Sequence, residues 1–445
     1  MTLHRAQVTA LAQAITRVGR FDAPADSTLT AFFREHRELG AHDRSLIADA
    51  VFAWLRRKRS LEALAATDAP RLLALAVLVR ELGHSVRDLE AATSATERDW
   101  LAAFKARLHD ELPEAVAADV PDWLWERLAT IDEDRAALAR AWQAPAPLDL
   151  RVNVLKATRD DALAALQADG LRVTPTPWSP WGLRVAGRPS LARHPWLADG
   201  RLEVQDEGSQ LVGALVAPKR TDMAVDFCAG AGGKTLLLGT LMRSQGRVYA
   251  FDTSAARLAR LTPRLARSGL SNVHPQRIAH ERDAKIGRLA GKIDRVLVDA
   301  PCTGFGTLRR NPDLKWRRSE SDLAELADKQ RRILDAAATL VKPGGRLVYA
   351  TCSVLPEEND AVADAFLAAH PGFHAVSASA ILARAGIALD TGMRLRTWPH
   401  RHGCDAFFAA VFERSARNPG RTTFSAADAK PPVSMTRSAC HPARR

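Results

Sequence analysis

The chain has 445 residues, 47% hydrophobic and 26% charged, and its 63 Lys and Arg against 51 Asp and Glu leave a net charge of +12. This length exceeds one ordinary domain, and the composition excludes a disordered or fibrous chain in favour of two or three globular domains. No unbroken run of about 18 apolar residues occurs, which excludes a membrane-spanning helix, and the basic surplus favours a polyanionic partner such as RNA or DNA.

The opening MTLHRAQVTALAQAITRV lacks a cleavable apolar core, so a cytoplasmic protein is expected. Up to about residue 145, apolar residues recur at three- and four-residue intervals, as in LTAFFREHRELGAHDRSLIADAVFAWLRRKRSLEALAA, which predicts an all-helical domain over 1–145. The basic cluster WLRRKR, residues 54 to 59, reads as a solvated helix face. Two prolines in APAPLDLRVNVLK then mark a linker and a strand, opening a small α+β segment over 146–220.

From Met223 apolar strand runs alternate with amphipathic helices: MAVDFCAG, RVYAFD, RVLVDAPC and GGRLVYATCS are the strands. Such alternation predicts an α/β, Rossmann-like domain over 221–414 with a mostly parallel sheet. The remainder, 415–445, is rich in Ser, Pro, Ala and Arg and is expected to be a basic disordered tail.

In VDFCAGAGGKT, residues 225 to 235, a strand passes through small residues into a helix, so a ligand can approach the backbone near a helix N-terminus. A P-loop is excluded, because the position five residues before Gly233 is Cys228 and not glycine. Asp252 ends the next strand, at the distance expected of a carboxylate that accepts ribose hydroxyls. The pair predicts a nucleoside-containing cofactor. The usual dinucleotide spacing of glycines is absent, so S-adenosylmethionine fits as well as NAD or better. Asp283 follows the next short strand, within reach of an adenine amine.

The five cysteines stand in no CxxC or CxxH spacing, so neither a disulfide framework nor a metal site is expected. Cys302 and Cys352 fall just beyond the carboxyl ends of two strands, the side on which open α/β sheets bind ligands. Methylation at carbon 5 of a pyrimidine calls for a thiol beside a methyl donor. A thiolate adding at carbon 6 makes carbon 5 nucleophilic, and Asp299 is placed to hold the cytosine edge during attack. Which thiol attacks is not decided by spacing. Past the Pro-Cys turn, LRRNPDLKW sets Arg309, Arg310 and Lys315 beside Trp316, cations and an aromatic surface suited to single-stranded or flipped RNA.

The motifs DFCAGAGGKT, VLVDAPCTGFGTLRRNPDLKW and GGRLVYATCSVLPEEND, with LDLRVNVLK, VQDEGSQLV and HGCDAFFAAVF in the same order, resemble the Nop/Sun RNA cytosine carbon-5 methyltransferases of the RsmB type. The resemblance spans roughly residues 120 to 413. It implies that Cys228, Ala229, Gly230, Ala231, Gly232, Gly233 and Lys234 wrap S-adenosylmethionine. It further implies that Asp252 takes the ribose, that Asp283 lies by the adenine and that Asp299 borders both cofactor and base. By the same resemblance Cys352 is the nucleophile and Cys302 assists product release. Ala231 stands where the family usually has proline, and Ala406 where it usually has glycine. The first 110 residues are similar in outline to a NusB-like RNA-binding extension. The expected activity is therefore 5-methylcytosine formation in small-subunit ribosomal RNA by a monomer; tRNA as substrate, or a non-catalytic ribosome-assembly factor, are the alternatives.

Overall fold

The computed structural model describes residues 2–187 and 189–416, so the expected tail lies almost wholly outside the described residues. Among them, no strand precedes Leu148. Five longer helices, Arg5–Val18, Ala25–Glu35, Ala41–Ala65, Pro70–Arg80 and Ala95–Ala106, bury one apolar core running from Leu3 to Phe104. The last of them starts at a capping box: Ser94 Oγ accepts from the Glu97 amide and Glu97 returns the bond to the Ser94 amide, so two otherwise orphaned donors are satisfied. The longest is interrupted at Arg57, whose φ of −117° and ψ of 21° leave the helical region.

The expected break at 145 falls where strands begin, but the packing changes earlier. Helices Asp122–Leu128 and Arg135–Trp142 bury Leu124, Leu128, Leu138 and Trp142 against Phe305, Leu308, Leu355 and Trp398, outside the core of the first five helices. Next comes a four-stranded antiparallel sheet of β1 (Leu148–Val152), β2 (Val173–Pro175), β3 (Gly182–Val185) and β4 (Leu202–Val204), in the order β2-β3-β1-β4.

The large sheet contains β5 (Met223–Asp226), β6 (Arg247–Asp252), β7 (Val273–Arg277), β8 (Ile293–Asp299), β9 (Val341–Thr351), β10 (Phe373–Val376), β11 (Leu395–Thr397) and β12 (Phe407–Arg414). Its order is β10-β12-β9-β8-β5-β6-β7, with β11 also pairing β12. Strands β5 to β9 run parallel, and β12 joins β9 antiparallel. The runs Val296–Val298 and Leu347–Ala350 are fully buried because helices cover both faces, which is why these strands are continuously apolar rather than alternating. The chain reverses direction across the sheet at β5: β6 and β7 extend to one side, β8 and β9 to the other. The crevice at such a switch point, beyond the carboxyl ends of the strands, is where ligands bind.

Candidate active site

A cavity of about 430 Å³ opens at that switch point, lined by the ends of β5, β6 and β8 and by the turn after β9. Its size suits a nucleoside-sized ligand. Of the predicted turn after β5, Gly232 lies outside the cavity lining: it has φ +85° and packs against Leu261, which a Cβ there would meet at 2.1 Å, so this glycine shapes the turn and does not line the site. Asp252 ties this turn to β6: one carboxylate oxygen accepts from the Gly230 amide at 2.8 Å and the other from the Ser254 amide at 2.7 Å. Cys228 through Ala231, Gly233, Lys234, Asp252 and Asp299 all line the cavity, as the sequence predicts.

Lys234 reaches across to Asp299, Nζ to Oδ2 2.8 Å, and also faces the Phe407 ring. Burial works against its charge, but the Asp299 carboxylate outweighs burial and holds the ammonium above its ordinary value. The pair thus brings a fixed cation and a carboxylate to one wall. Asp226 is buried with Oδ2 accepting from Thr235 Oγ1 at 2.6 Å, while Oδ1 has no protein partner and the residue lines the cavity. Burial pushes its carboxyl up to about 7.

Both predicted thiols line the same cavity, and their sulfurs lie 3.3 Å apart. The parallel pairing of β8 with β9, Asp299 opposite Ala350, delivers the two loops side by side. The hydrogen bond to Cys352 and then burial push the Cys302 thiol well above its ordinary value, so Cys302 stays a protonated donor at neutral pH. Cys228 is likewise raised by burial and stays a neutral thiol.

Three further expectations are corrected. Asp283 lies outside the cavity lining; its oxygens accept from the Ala279 and Lys285 amides and cap the short helix Ala284–Gly287, while Ile278 and Glu281 hold the neighbouring wall. The four residues expected on RNA are committed to protein. Arg309 and Arg310 pair with Asp405, and Arg310 also with Asp206. Lys315, 1% exposed, donates to the Arg56 carbonyl, and Trp316 Nε1 donates to the Leu55 carbonyl. The segment is a joint to the amino-terminal helices. Its partner WLRRKR is no solvated face either, since Trp54, Leu55 and Arg56 are buried.

Sequence reasoning missed two arginines, one of them in a motif that it had quoted without a role. Arg151 in LDLRVNVLK is buried and donates to the Gly233 carbonyl at 2.6 Å. Arg264 donates to the Ala231 carbonyl at 2.6 Å and pairs with Glu203 of β4. The small sheet therefore braces the cofactor turn. The guanidinium at 264 also bears on the alanine that replaces the usual proline, because it fixes the carbonyl of Ala231 from outside the loop.

A family model described as 16S rRNA methyltransferase RsmB/F matches residues 213–413. The ribosomal RNA small subunit methyltransferase B of Sodalis glossinidius is 33% identical over 401 residues, 84% of this chain and 90% of that one. The chain belongs to the RsmB/F methyltransferase family. A second model, the ferredoxin-like domain of RsmF/B-like methyltransferases, matches residues 120–191, so the family's unit takes in helices Asp122–Leu128 and Arg135–Trp142 with the first three strands. The probable ribosomal RNA small subunit methyltransferase B of Synechocystis is 34% identical over 301 residues, 66% of this chain and 67% of the relative. Among solved structures, PH0851 superposes with a TM-score of 0.74 at 26% identity, covering 93% of this chain and 100% of that one. The RsmB/F membership thus joins a Rossmann-like catalytic sheet to the helical and small-sheet parts. Among the described residues no helix is long and apolar enough to cross a membrane, and no group of three or more His, Cys, Asp or Glu is arranged to hold a metal ion.

Proposed function

We propose that this RsmB/F methyltransferase acts on small-subunit ribosomal RNA and methylates carbon 5 of a cytosine through a covalent bond to Cys352. The single observation that carries the reading is the pairing of two thiols, 3.3 Å apart, in one cavity with the Lys234–Asp299 pair. A methyltransferase acting on a ring nitrogen or hydroxyl has no use for two cysteines there.

S-adenosylmethionine, when bound, supplies an electrophilic methyl group. Asp252 and the turn from Cys228 to Lys234 hold its nucleoside end, and Asp226 offers a buried, unpartnered oxygen to a donor on the ligand. Asp299 accepts from the exocyclic amine of the cytosine, and the Lys234 ammonium steadies charge that develops on the ring. The Cys352 thiolate adds to carbon 6, which turns carbon 5 into a nucleophile. After carbon 5 is methylated, loss of its proton and expulsion of the thiolate restore the ring. Cys302, a protonated donor in contact with the Cys352 sulfur, is placed to assist that expulsion.

The test is nucleoside mass spectrometry on unmethylated small-subunit RNA and on tRNA after incubation with the protein and S-adenosylmethionine. The reading expects 5-methylcytidine in the ribosomal RNA. A methyl group on another nucleoside, or on tRNA alone, would overturn it.

A further inference from the structure

Two loops leaving neighbouring parallel strands have no intrinsic reason to bring their third and first residues into contact, yet Cys302 and Cys352 meet. The contact has a visible cause in Glu358, which lies six residues beyond Cys352 and is fully buried. Its Oε1 accepts from the Thr303 amide at 2.8 Å and from Gln330 Nε2 at 3.0 Å, and its Oε2 accepts from Thr303 Oγ1 at 2.6 Å. Thr303 directly follows Cys302. Gln330 also donates to the Pro301 carbonyl at 3.0 Å, so both residues flanking Cys302 are reached from this one carboxylate.

The opposite loop is tied to the same point. Ser353, the residue after Cys352, lies 3.3 Å from Thr303 Oγ1, and its carbonyl accepts from Asn359 Nδ2 at 3.1 Å. The Cys352 carbonyl accepts from the Gly306 amide at 2.8 Å, where a side chain is impossible because a Cβ would stand 2.1 Å from the Ala406 carbonyl oxygen. Glu358 belongs to the segment that follows Cys352, and two of its three donors come from Thr303 in the Cys302 loop, the third from Gln330 of helix Glu320–Ala338, so the Cys302 loop cannot leave the Cys352 turn without unpairing a buried carboxylate.

We propose that Glu358 is a positioning residue that fixes the Cys302 loop against the Cys352 turn and so sets the spacing of the two thiols. Its importance for turnover rests on the covalent cytosine reading; its effect on spacing does not.

The first test uses no RNA. Diamide, a diazene oxidant, closes two adjacent thiols: two S–H bonds break, one S–S bond forms, and the diazene takes up both hydrogens to become a hydrazine. Sulfurs 3.3 Å apart need approach by only about 1.3 Å to reach disulfide length. Mass spectrometry after brief diamide treatment is expected to show rapid closure of a Cys302–Cys352 disulfide in the wild type and at least tenfold slower closure in Glu358→Ala. Glu358→Gln keeps the shape, and its amide can donate to Thr303 Oγ1, so closure near the wild-type rate is expected there. Thr303→Val, which removes one of the ties, falls between. Thr303→Val, which leaves the buried carboxylate in place, supplies the same comparison should Glu358→Ala fail to fold, with cofactor binding as the check on both. Closure at the wild-type rate in folded Glu358→Ala or Thr303→Val overturns the proposal. The second test follows the RNA–protein adduct, which is expected to accumulate in Thr303→Val as product release slows. If no variant, Cys302→Ala included, forms an adduct while closure still slows, the cytosine reading fails and the positioning role stands.

Discussion

Asp252 holds a turn and lines the cavity with the same side chain, and the proposed site gives it the cofactor as well. Its two oxygens already hold the Gly230 and Ser254 amides, and the carboxylate still faces the cavity. Asp252→Asn keeps the size but replaces one acceptor by a donor pointed at an amide. Affinity for S-adenosylmethionine, measured by calorimetry, is expected to fall at least about tenfold, the worth of one charge-assisted hydrogen bond, with little change in turnover at saturating cofactor. An unchanged affinity would remove Asp252 from the cofactor site. Asp252, Asp299 and both cysteines were legible because the rule that locates them, the carboxyl end of a parallel strand, depends only on strand periodicity. Asp283 obeys the same rule yet caps a helix, a choice made by the local turn Ala279–Lys285 that spacing does not encode.

At the scale of elements, the segment 308–316 looks like an RNA-binding loop because cations beside an aromatic ring have the same composition whether they meet phosphate or protein. The deciding facts are tertiary. Asp405, Asp206 and the carbonyls of Leu55 and Arg56 come from positions 90 or more residues away. Lys315 carries a measurable consequence. Burial lowers its ammonium to about 7, against an ordinary value near 10.5. Between these values the unfolded chain holds a proton that the folded chain has released. Stability therefore rises as pH increases from about 7 to about 10, by at most about 1.4 kcal/mol per pH unit. Lys315→Met keeps the packing volume and removes the titration. Urea unfolding across that range is expected to show a flatter pH dependence in the variant; parallel slopes would show that Lys315 is not the group responsible. The strands of the large sheet were legible for the opposite reason, since their apolar runs state their own burial without reference to a partner.

Over the whole molecule, three bodies are joined, and two of them, the small sheet and the catalytic sheet, line one crevice. The first five helices keep a core of their own and reach the catalytic sheet through Lys315 and Trp316. The small sheet reaches the cofactor turn through Arg151 and, across the Glu203 pair, Arg264. The catalytic sheet supplies the carboxylates and thiols. The alternation of strands and helices made this last body readable, whereas the braces of the small sheet pair residues about 60 to 80 positions apart in segments with no shared period. The proposed division of labour between the two touching thiols is tested most directly by denaturing electrophoresis of the protein after incubation with S-adenosylmethionine and unmethylated small-subunit RNA. Cys302→Ala is expected to trap a covalent RNA complex with little turnover, and Cys352→Ala to form none. A complex that persists in Cys352→Ala, or one absent from a folded, cofactor-binding Cys302→Ala, would contradict the assignment of attack to Cys352 and release to Cys302.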